Sequence, residues 1–157
     1  MSIERVREFF KRYGLESKIM EFAASSATVA LAAEALGVIE ARIAKTLSFK
    51  KDDSCILIIT AGDAKIDNTK FKSEFSMKAK MLSPEEVITL VGHEIGGVCP
   101  FGINENIPVY SDISMKRFDT VFPACGSSNS AIEFTCEELF HYSDGVKWID
   151  ICKGWNE

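Results

Sequence analysis

The sequence is poor in the residues and motifs that mark most catalytic or metal centres. It has two histidines, His93 and His141, and no G-x-S-x-G, H-E-x-x-H, H-x-E or Walker-type motif. The five cysteines are odd in number and form no C-x-x-C pair, which argues against a disulfide framework and a zinc knuckle. No stretch is apolar over the about 20 residues that a membrane span needs. We therefore expect no metal or other cofactor, no membrane partner, and a cytoplasmic protein.

Length and composition predict one domain. The chain has 157 residues, of which 46% are hydrophobic and 26% charged, as is usual for a globular protein with its own core. The first residues form a mixed-charge amphipathic pattern, which differs from a secretory signal. We expect a single domain over residues 1–157, with no linker, repeat or low-complexity segment.

Charge is distributed unevenly along the chain. The net charge is −5, but residues 41–80 carry a net +4 and the remainder −9. Such a distribution fits one basic face on an acidic body, which a nucleic acid could approach. The alternative is a set of solvated lysines on surface helices and turns.

Helical spacing of apolar residues, with capping residues and glycine stops, predicts several helices. Ser83-Pro84-Glu85-Glu86 and Thr135-Cys136-Glu137-Glu138 are capping boxes, Asp112 can cap a short helix, and Ser26 is the expected cap of the second helix. The predicted helical segments are residues 3–13, 28–36, 40–44, 68–75, 84–91, 113–118 and 136–142.

Seven segments have the pattern of strands. Residues 55–61 form a continuous apolar run and are the expected central strand. Residues 120–124 and 130–134 resemble a hairpin around Gly126-Ser127-Ser128-Asn129. The other strands are predicted over 18–22, 45–49, 108–110 and 147–151. The fold class is therefore α+β: a single compact domain with a mixed, mostly antiparallel sheet of six to seven strands and interspersed helices.

The most informative segment is residues 92–102, which holds four glycines and a proline among apolar residues. Glycine permits positive φ and close approach to a ligand, so the segment can direct backbone N–H groups into a small cavity. It could equally be a tight connection whose glycines serve only the backbone geometry.

Three side chains are candidates for chemistry, and each has an ordinary alternative. Cys99 could be a thiol nucleophile, but the only base near it in sequence is His93, so a small cavity-lining side chain is the simpler interpretation. His141 lies on the polar edge of a predicted helix, where a structural role is usual. Lys45 begins a predicted strand, and a lone lysine is usually a solvated charge.

Residues 42–49 (Arg-Ile-Ala-Lys-Thr-Leu-Ser-Phe) and 92–102 together resemble the YbaK and prolyl-tRNA-synthetase-associated editing-domain family. The resemblance extends from residues 33–38 to 131–134 and the helix that follows. It implies a YbaK-like fold and the hydrolysis of mischarged aminoacyl-tRNA, with the tRNA 3′ acceptor end as partner and a tRNA synthetase as a second candidate partner.

The resemblance also implies roles for particular residues. The ammonium of Lys45 would meet the phosphate or ribose of the terminal adenosine. The family's G-x-x-x-P element corresponds to residues 96–100, whose N–H groups would hold the ester carbonyl as an oxyanion hole does, so that no protein nucleophile is required. The implied catalytic residues are Lys45, Gly96 and Gly97, and the implied substrate-binding residues are Thr28, Val98, Cys99, Pro100, Ser127 and Ser128.

These observations predict a free-standing trans-editing deacylase that removes a small amino acid, such as alanine, cysteine, serine or threonine, from tRNA-Pro or a related tRNA. Relatives of the cysteine-clearing branch often carry an acidic residue where Ala131 stands, so the amino acid stays open, as does the oligomeric state. The alternatives are a non-catalytic binder of a nucleotide or RNA 3′ end, and a thiol-dependent enzyme that acts through Cys99.

Overall fold

The computed structural model describes residues 2–155 of the chain. Capping residues set the ends of most of its helices. Three 3-10 turns occupy Glu16–Lys18, Glu40–Arg42 and Ile113–Arg117. The α-helices are α1 (Ser2–Lys11), α2 (Val29–Leu36), α3 (Asn68–Phe75), α4 (Pro84–Glu86, continued by a π-helical turn over Val87–Val91) and α5 (Cys136–Tyr142).

Within residues 2–155 the strands form one six-stranded sheet, in the order β8-β6-β2-β3-β5-β9, and two small antiparallel pairs, β1 with β7 and β4 with β10. The strands are β1 (Met20–Glu21), β2 (Ile43–Lys51), β3 (Ser54–Ala61), β4 (Lys65–Ile66), β5 (Val109–Asp112), β6 (Thr120–Pro123), β7 (Ser130–Ala131), β8 (Phe134–Thr135), β9 (Trp148–Ile149) and β10 (Cys152–Lys153).

The predicted α+β class with a mixed sheet is confirmed. In the main sheet β2 pairs with β6, β3 with β5 and β5 with β9 in parallel, whereas β2 pairs with β3 and β6 with β8 antiparallel. Counting the two small pairs, four of the seven strand pairings within residues 2–155 are antiparallel. The apolar run of β3 lies between β2 and β5, and its last seven residues are buried, as its composition predicts.

Two predicted strands are each divided in the structure. Residues 130–134 do not form one arm of a hairpin: β7 pairs with β1, and only β8 pairs with β6, although Ala124 and Ala131 keep an isolated bridge. Residues 147–151 likewise end as β9, and the chain then pairs with β4 as β10. Both divisions depend on partners that are distant in sequence, which alternation of apolar residues does not reveal.

The predicted cap of α2 is wrong by two residues. Thr28 is the N-cap, and its Oγ1 accepts a hydrogen bond from the Leu31 N–H at 3.1 Å. The Ser26 N–H instead donates to the Ser128 carbonyl at 2.6 Å, which ties the start of this helix to the loop before β7. The capping boxes of Ser83 and Thr135 and the cap at Asp112 are present as predicted.

The buried side chains form two clusters. A large cluster of buried side chains surrounds β3, including an aromatic group of Phe10, Phe101 and Phe134. A smaller cluster packs α2 against Ile43 and Phe122. The space between these two clusters is where the cavity described below opens. No helix in the described part of the chain is long and apolar enough to cross a bilayer.

Candidate active site

A cavity of about 200 Å³ lies between the start of α2, strand β2, residues 92–102, which we call the glycine loop, and the segment before α4. Of the residues predicted for the site, four line it: Thr28, Lys45, Gly96 and Val98. The rest of its wall is mostly apolar and is formed by Ser26, Ala27, Val29, Ala32, Ile43, Ala44, Thr46, Ser48, Met81, Leu82, Val87, Ile95, Phe122, Ala124, Ser130 and Ala131.

The ammonium of Lys45 is held by the backbone. Its Nζ donates to the carbonyl of Ala64 at 2.6 Å and lies 3.5 Å from the carbonyl of Gly62, neither of which lines the cavity. Burial lowers the pKa of Lys45, while Cys152 and Asp63 act in the opposite direction. Since an ammonium has three N–H donors, at least one stays free for a ligand.

The glycine loop contains a tight turn at the cavity wall. The Gly97 N–H donates to the Glu94 carbonyl at 3.1 Å, and Gly96 has a φ of +92° at the third position of this turn, where glycine is preferred. Within residues 2–155 the backbone N–H groups of Gly96 and Val98 have no hydrogen-bond partner. The loop therefore offers two unpaired donors on residues that line the cavity.

Gly97 itself does not line this cavity. A Cβ added to Gly97 would lie 2.7 Å from the carbonyl carbon of Gly126 and 2.7 Å from the nitrogen of Ser127. The two backbones are thus in direct contact, and only glycine fits between them. Gly97 positions the loop, and its own N–H is already used in the turn.

Ser127 and Ser128 lie on the far side of the glycine loop, where with Gly97 they line a separate cavity of about 230 Å³. Ser127 Oγ bonds to Ser130 Oγ at 2.7 Å, and the Ser128 carbonyl accepts from the Ser26 N–H. Through these contacts Ser127 and Ser128 support the wall of the candidate cavity without lining it. Pro100 is also outside the candidate cavity and borders an aromatic cleft near Tyr13 and Tyr142.

Cys99 is fully buried and does not line the cavity. Its Sγ lies 3.5 Å from His93 Nε2, so the structure does place a histidine beside the thiol. That nitrogen is also 2.7 Å from the Phe101 carbonyl, which can only accept, so Nε2 carries the proton and cannot take one from sulfur. Burial raises the pKa of Cys99 to about 12 and lowers that of His93. This arrangement is that of an unreactive structural cysteine.

Thr46 and Ser48 are site residues that sequence reasoning missed. Alternate side chains of a strand share a face, so Ala44, Thr46 and Ser48 form one row of small residues along β2. All three line the cavity, and the buried Oγ1 of Thr46 has no hydrogen-bond partner within residues 2–155. The signal available in the sequence was this alternation of small and polar residues beside Lys45.

The wall of the candidate cavity has few side chains that could act as acids or bases, and its rim is apolar. Apart from Lys45 it contains no charged residue and no histidine among residues 2–155. At the rim, the large apolar side chains of Met81 and Ile95 are 56% and 60% exposed. The arrangement can bind a small, partly apolar group and polarise a carbonyl, while the Lys45 ammonium, on the opposite face of β2 from Thr46 and Ser48, bonds to carbonyls outside the cavity wall.

Comparisons with known proteins agree on one family. A family model described as the aminoacyl-tRNA editing domain matches residues 23–142, a range that contains every residue of the cavity wall. The uncharacterized protein YwhH of Bacillus subtilis strain 168 is 56% identical over 156 residues, which span 99% of each chain. A proline–tRNA ligase of Geobacillus sp. strain WCH70 is 28% identical over 116 residues, which cover 73% of this chain and 19% of the ligase. Among solved structures, a proposed trans-editing enzyme for prolyl tRNA synthetase matches with a TM-score of 0.87 and 29% identity over 98% of each chain.

Proposed function

Because the chain belongs to the aminoacyl-tRNA editing domain family, we propose that it hydrolyses the ester between a wrongly attached small amino acid and the 3′ end of a tRNA. Water supplies the attacking oxygen, the bond between the acyl carbon and the ribose oxygen breaks, and the products are a free amino acid and a tRNA with a free hydroxyl. The first tRNA to test is tRNA-Pro, because two of the similar proteins are named for prolyl-tRNA synthesis or editing.

The observation that carries the proposal is the pair of unpaired backbone N–H groups at Gly96 and Val98 on the cavity wall. Fixed donors stabilise the negative charge that develops on the carbonyl oxygen, and each such donor contributes about 10²- to 10³-fold in rate at other acyl-transfer sites. The donors we propose are therefore Gly96 and Val98, with Gly97 as the residue that positions them.

Lys45 binds the substrate in this proposal. Two backbone carbonyls hold its ammonium, and the remaining N–H reaches the terminal phosphate or a ribose hydroxyl. Thr46 and Ser48 line the same wall, and the unpartnered hydroxyl of Thr46 is available to the attacking water or to the α-amino group. These contacts position an ester that is already activated, so a protein nucleophile is unnecessary.

Cavity size limits the amino acid. About 200 Å³ bounded by Ala124, Ala131 and Val98 suits a small side chain. Ala131 stands where an acidic residue would bring a carboxylate into the wall, and among residues 2–155 this wall contains no carboxylate. A pocket of this kind excludes large side chains, but its kcat/KM values for amino acids of nearly equal size differ by only about 10- to 200-fold. We propose alanine, cysteine, serine and threonine as the candidate set.

A second candidate function is recognition of an RNA 3′ end without hydrolysis. The absence of a carboxylate or imidazole from the wall within residues 2–155 favours it, since nothing there can accept a proton from water except Lys45 in its neutral form. The same cavity would then hold the terminal nucleoside, with Lys45 on its phosphate.

One experiment separates the two functions. The protein is incubated with tRNA-Pro charged with alanine, cysteine, serine, threonine or proline, and the ester remaining is measured against a buffer control and against Lys45→Ala. Deacylation of a small non-cognate ester, with prolyl-tRNA spared and Lys45→Ala at least 100-fold slower, supports the proposal. Binding of charged tRNA without loss of the ester at any protein concentration supports recognition alone.

A further inference from the structure

The lysines of residues 41–80 are not equivalent in the structure. Lys50 Nζ lies 2.9 Å from Glu86 Oε2, and Lys70 Nζ lies 3.1 Å from Asp150 Oδ1, so these two charges are already paired. Lys72 and Lys78 form no ion pair within residues 2–155. A basic face made by this segment therefore depends on its unpaired members.

Lys72, on α3, and Lys78, in the segment that follows this helix, both line one open groove, which we call the α3 groove. It has a volume of about 1080 Å³, and its remaining wall is uncharged: Asn68, Thr69, Ser73, Ser76 and Ala79. The nearby carboxylate of Asp67 is occupied, because its Oδ1 accepts the N–H groups of Thr69 and Lys70 as the cap of α3. The groove thus presents ammonium, hydroxyl and amide groups with no acidic residue on its described wall.

One segment of the chain joins the α3 groove to the candidate active site. Residues 78–79 line the groove and residues 81–82 line the cavity, in a single extended segment. This segment is fixed against β2, where the Lys80 carbonyl accepts the Lys50 N–H at 2.8 Å and the Leu82 N–H donates to the Ser48 carbonyl at 3.2 Å. An extended chain rises about 3.3 Å per residue, so groove and cavity are about 7 Å apart along it.

We propose that the α3 groove binds the phosphates that precede the 3′ end of the tRNA while the aminoacyl ester occupies the cavity; this inference rests on the proposed function. A chain with a net charge of −5 repels a polyanion unless unpaired cations meet its phosphates locally. Lysines with serine, threonine and asparagine are the usual phosphate contacts in nucleic-acid complexes, and they carry no sequence information. The groove therefore strengthens binding of any tRNA end, and the cavity selects the amino acid.

The test compares a long and a short substrate. One is full-length charged tRNA; the other is 3′-aminoacyl-adenosine, which carries the ester into the cavity but has no phosphate to reach the groove. For the double variant Lys72→Gln/Lys78→Gln we expect kcat/KM on the tRNA to fall about tenfold at low salt, through KM, and to stay unchanged on the adenosine ester. The slope of log kcat/KM against log salt should decrease by about 1.4, or about 0.7 per lost single-strand phosphate contact.

Two further variants sharpen the test. Lys11→Gln/Lys18→Gln removes the same charge from exposed lysines that line neither the groove nor the cavity, and it should leave the salt slope unchanged. Ser73→Asp keeps both groove lysines but adds a negative charge to the wall, and it should weaken activity on the tRNA alone. If the control pair lowers tRNA activity as much as the groove pair, the effect is one of net charge and the proposal is wrong.

Failure of the groove and failure of the proposed function give different results. If the wild-type protein cleaves both substrates and the groove variants equal it on both with the same salt slope, the groove proposal is overturned and the deacylase assignment stands. If the wild type cleaves neither substrate, the deacylase assignment fails, and binding of uncharged tRNA decides the groove. A salt slope reduced only in the groove variants then supports it, and an unchanged slope overturns it.

Discussion

The contact between Gly97 and the backbone of Gly126 and Ser127 leads to a sharp prediction for Gly97→Ala. The new Cβ would sit 2.7 to 2.9 Å from three backbone atoms, and backbone cannot move aside as a side-chain tip can. Forcing a methyl group into such a contact costs about 1–3 kcal/mol. For a chain of this length, each kcal/mol lowers the melting temperature by about 2–4 °C, so we expect a decrease of about 2–12 °C.

The chain provides matched controls for this substitution. Gly96→Ala combines a φ of +92° with a milder contact, 3.2 Å from the Ala27 Cβ. Gly14→Ala has a φ of +70° and nothing within 4 Å of the added Cβ, so it measures the backbone penalty alone, about 1–2 kcal/mol. Gly97 is not among the glycines with positive φ, so Gly97→Ala measures the steric contact alone.

The assays are thermal unfolding of all three variants and deacylation of the best charged tRNA from the panel. We expect Gly97→Ala to lose both stability and activity, because the loop must shift as a body. Gly96→Ala should lose activity out of proportion to stability, because a Cβ at a φ of +92° forces the backbone to shift and redirects the N–H that is a proposed donor, and Gly14→Ala should keep full activity. A Gly97→Ala protein that melts and reacts like the wild type would refute the close backbone contact and the positioning role of Gly97.

Four other variants test the remaining assignments. Lys45→Ala should fold and lose about 10²- to 10³-fold in deacylation; full activity in a folded variant removes Lys45 from the mechanism. Cys99→Ser should keep hydrolysis, whereas a loss of several orders of magnitude would favour a thiol enzyme. Thr46→Val removes a buried hydroxyl without a hydrogen-bond partner, so calorimetry should show a stability that is unchanged or higher by about 1 kcal/mol. Deacylation should be slower in this variant, and unchanged kinetics would exclude Thr46 from the reaction. Burial lowers the folded-state pKa of His93 below its ordinary 6.5, so the stability of the protein should fall as the pH drops below 6.5. The fall should be less steep in His93→Gln, and equal slopes of stability against pH in the two proteins would contradict a buried neutral His93.

Local sequence signals predicted several elements correctly because their causes are local. A capping box needs only four consecutive residues, so the starts at Ser83 and Thr135 were predictable, and the cap at Asp112 follows the same logic. The continuous apolar run of residues 55–61 likewise required burial on both faces and a central position. Ser26 is not the cap because its hydroxyl and its N–H both donate to the distant Ser128 carbonyl, and the hydroxyl of Thr28 accepts the hydrogen bond that caps the helix.

The candidate site was predictable only in part. Lys45 and the glycine loop identified the family, which the family match over residues 23–142 confirms. The exact donors were not predictable from the sequence. A turn uses the N–H of Gly97 and leaves those of Gly96 and Val98 unpaired, and only the structure shows this turn. Cys99 could not be judged either, because its proximity to His93 and its burial both follow from tertiary packing.

The sequence by itself determined the helix caps at Ser83, Asp112 and Thr135, the central apolar strand and the family to which the chain belongs, because these depend on neighbouring residues or on short motifs. Tertiary structure alone decided which residues face one another across long separations. It divided the predicted hairpin, placed Thr46 and Ser48 on the cavity wall, and kept Gly97, Cys99, Pro100, Ser127 and Ser128 out of that wall. It also paired Lys50 with Glu86 and Lys70 with Asp150, and it left Lys72 and Lys78 without an ion pair within residues 2–155. An ion pair requires proximity in space, and a count of charges along the chain does not give that proximity.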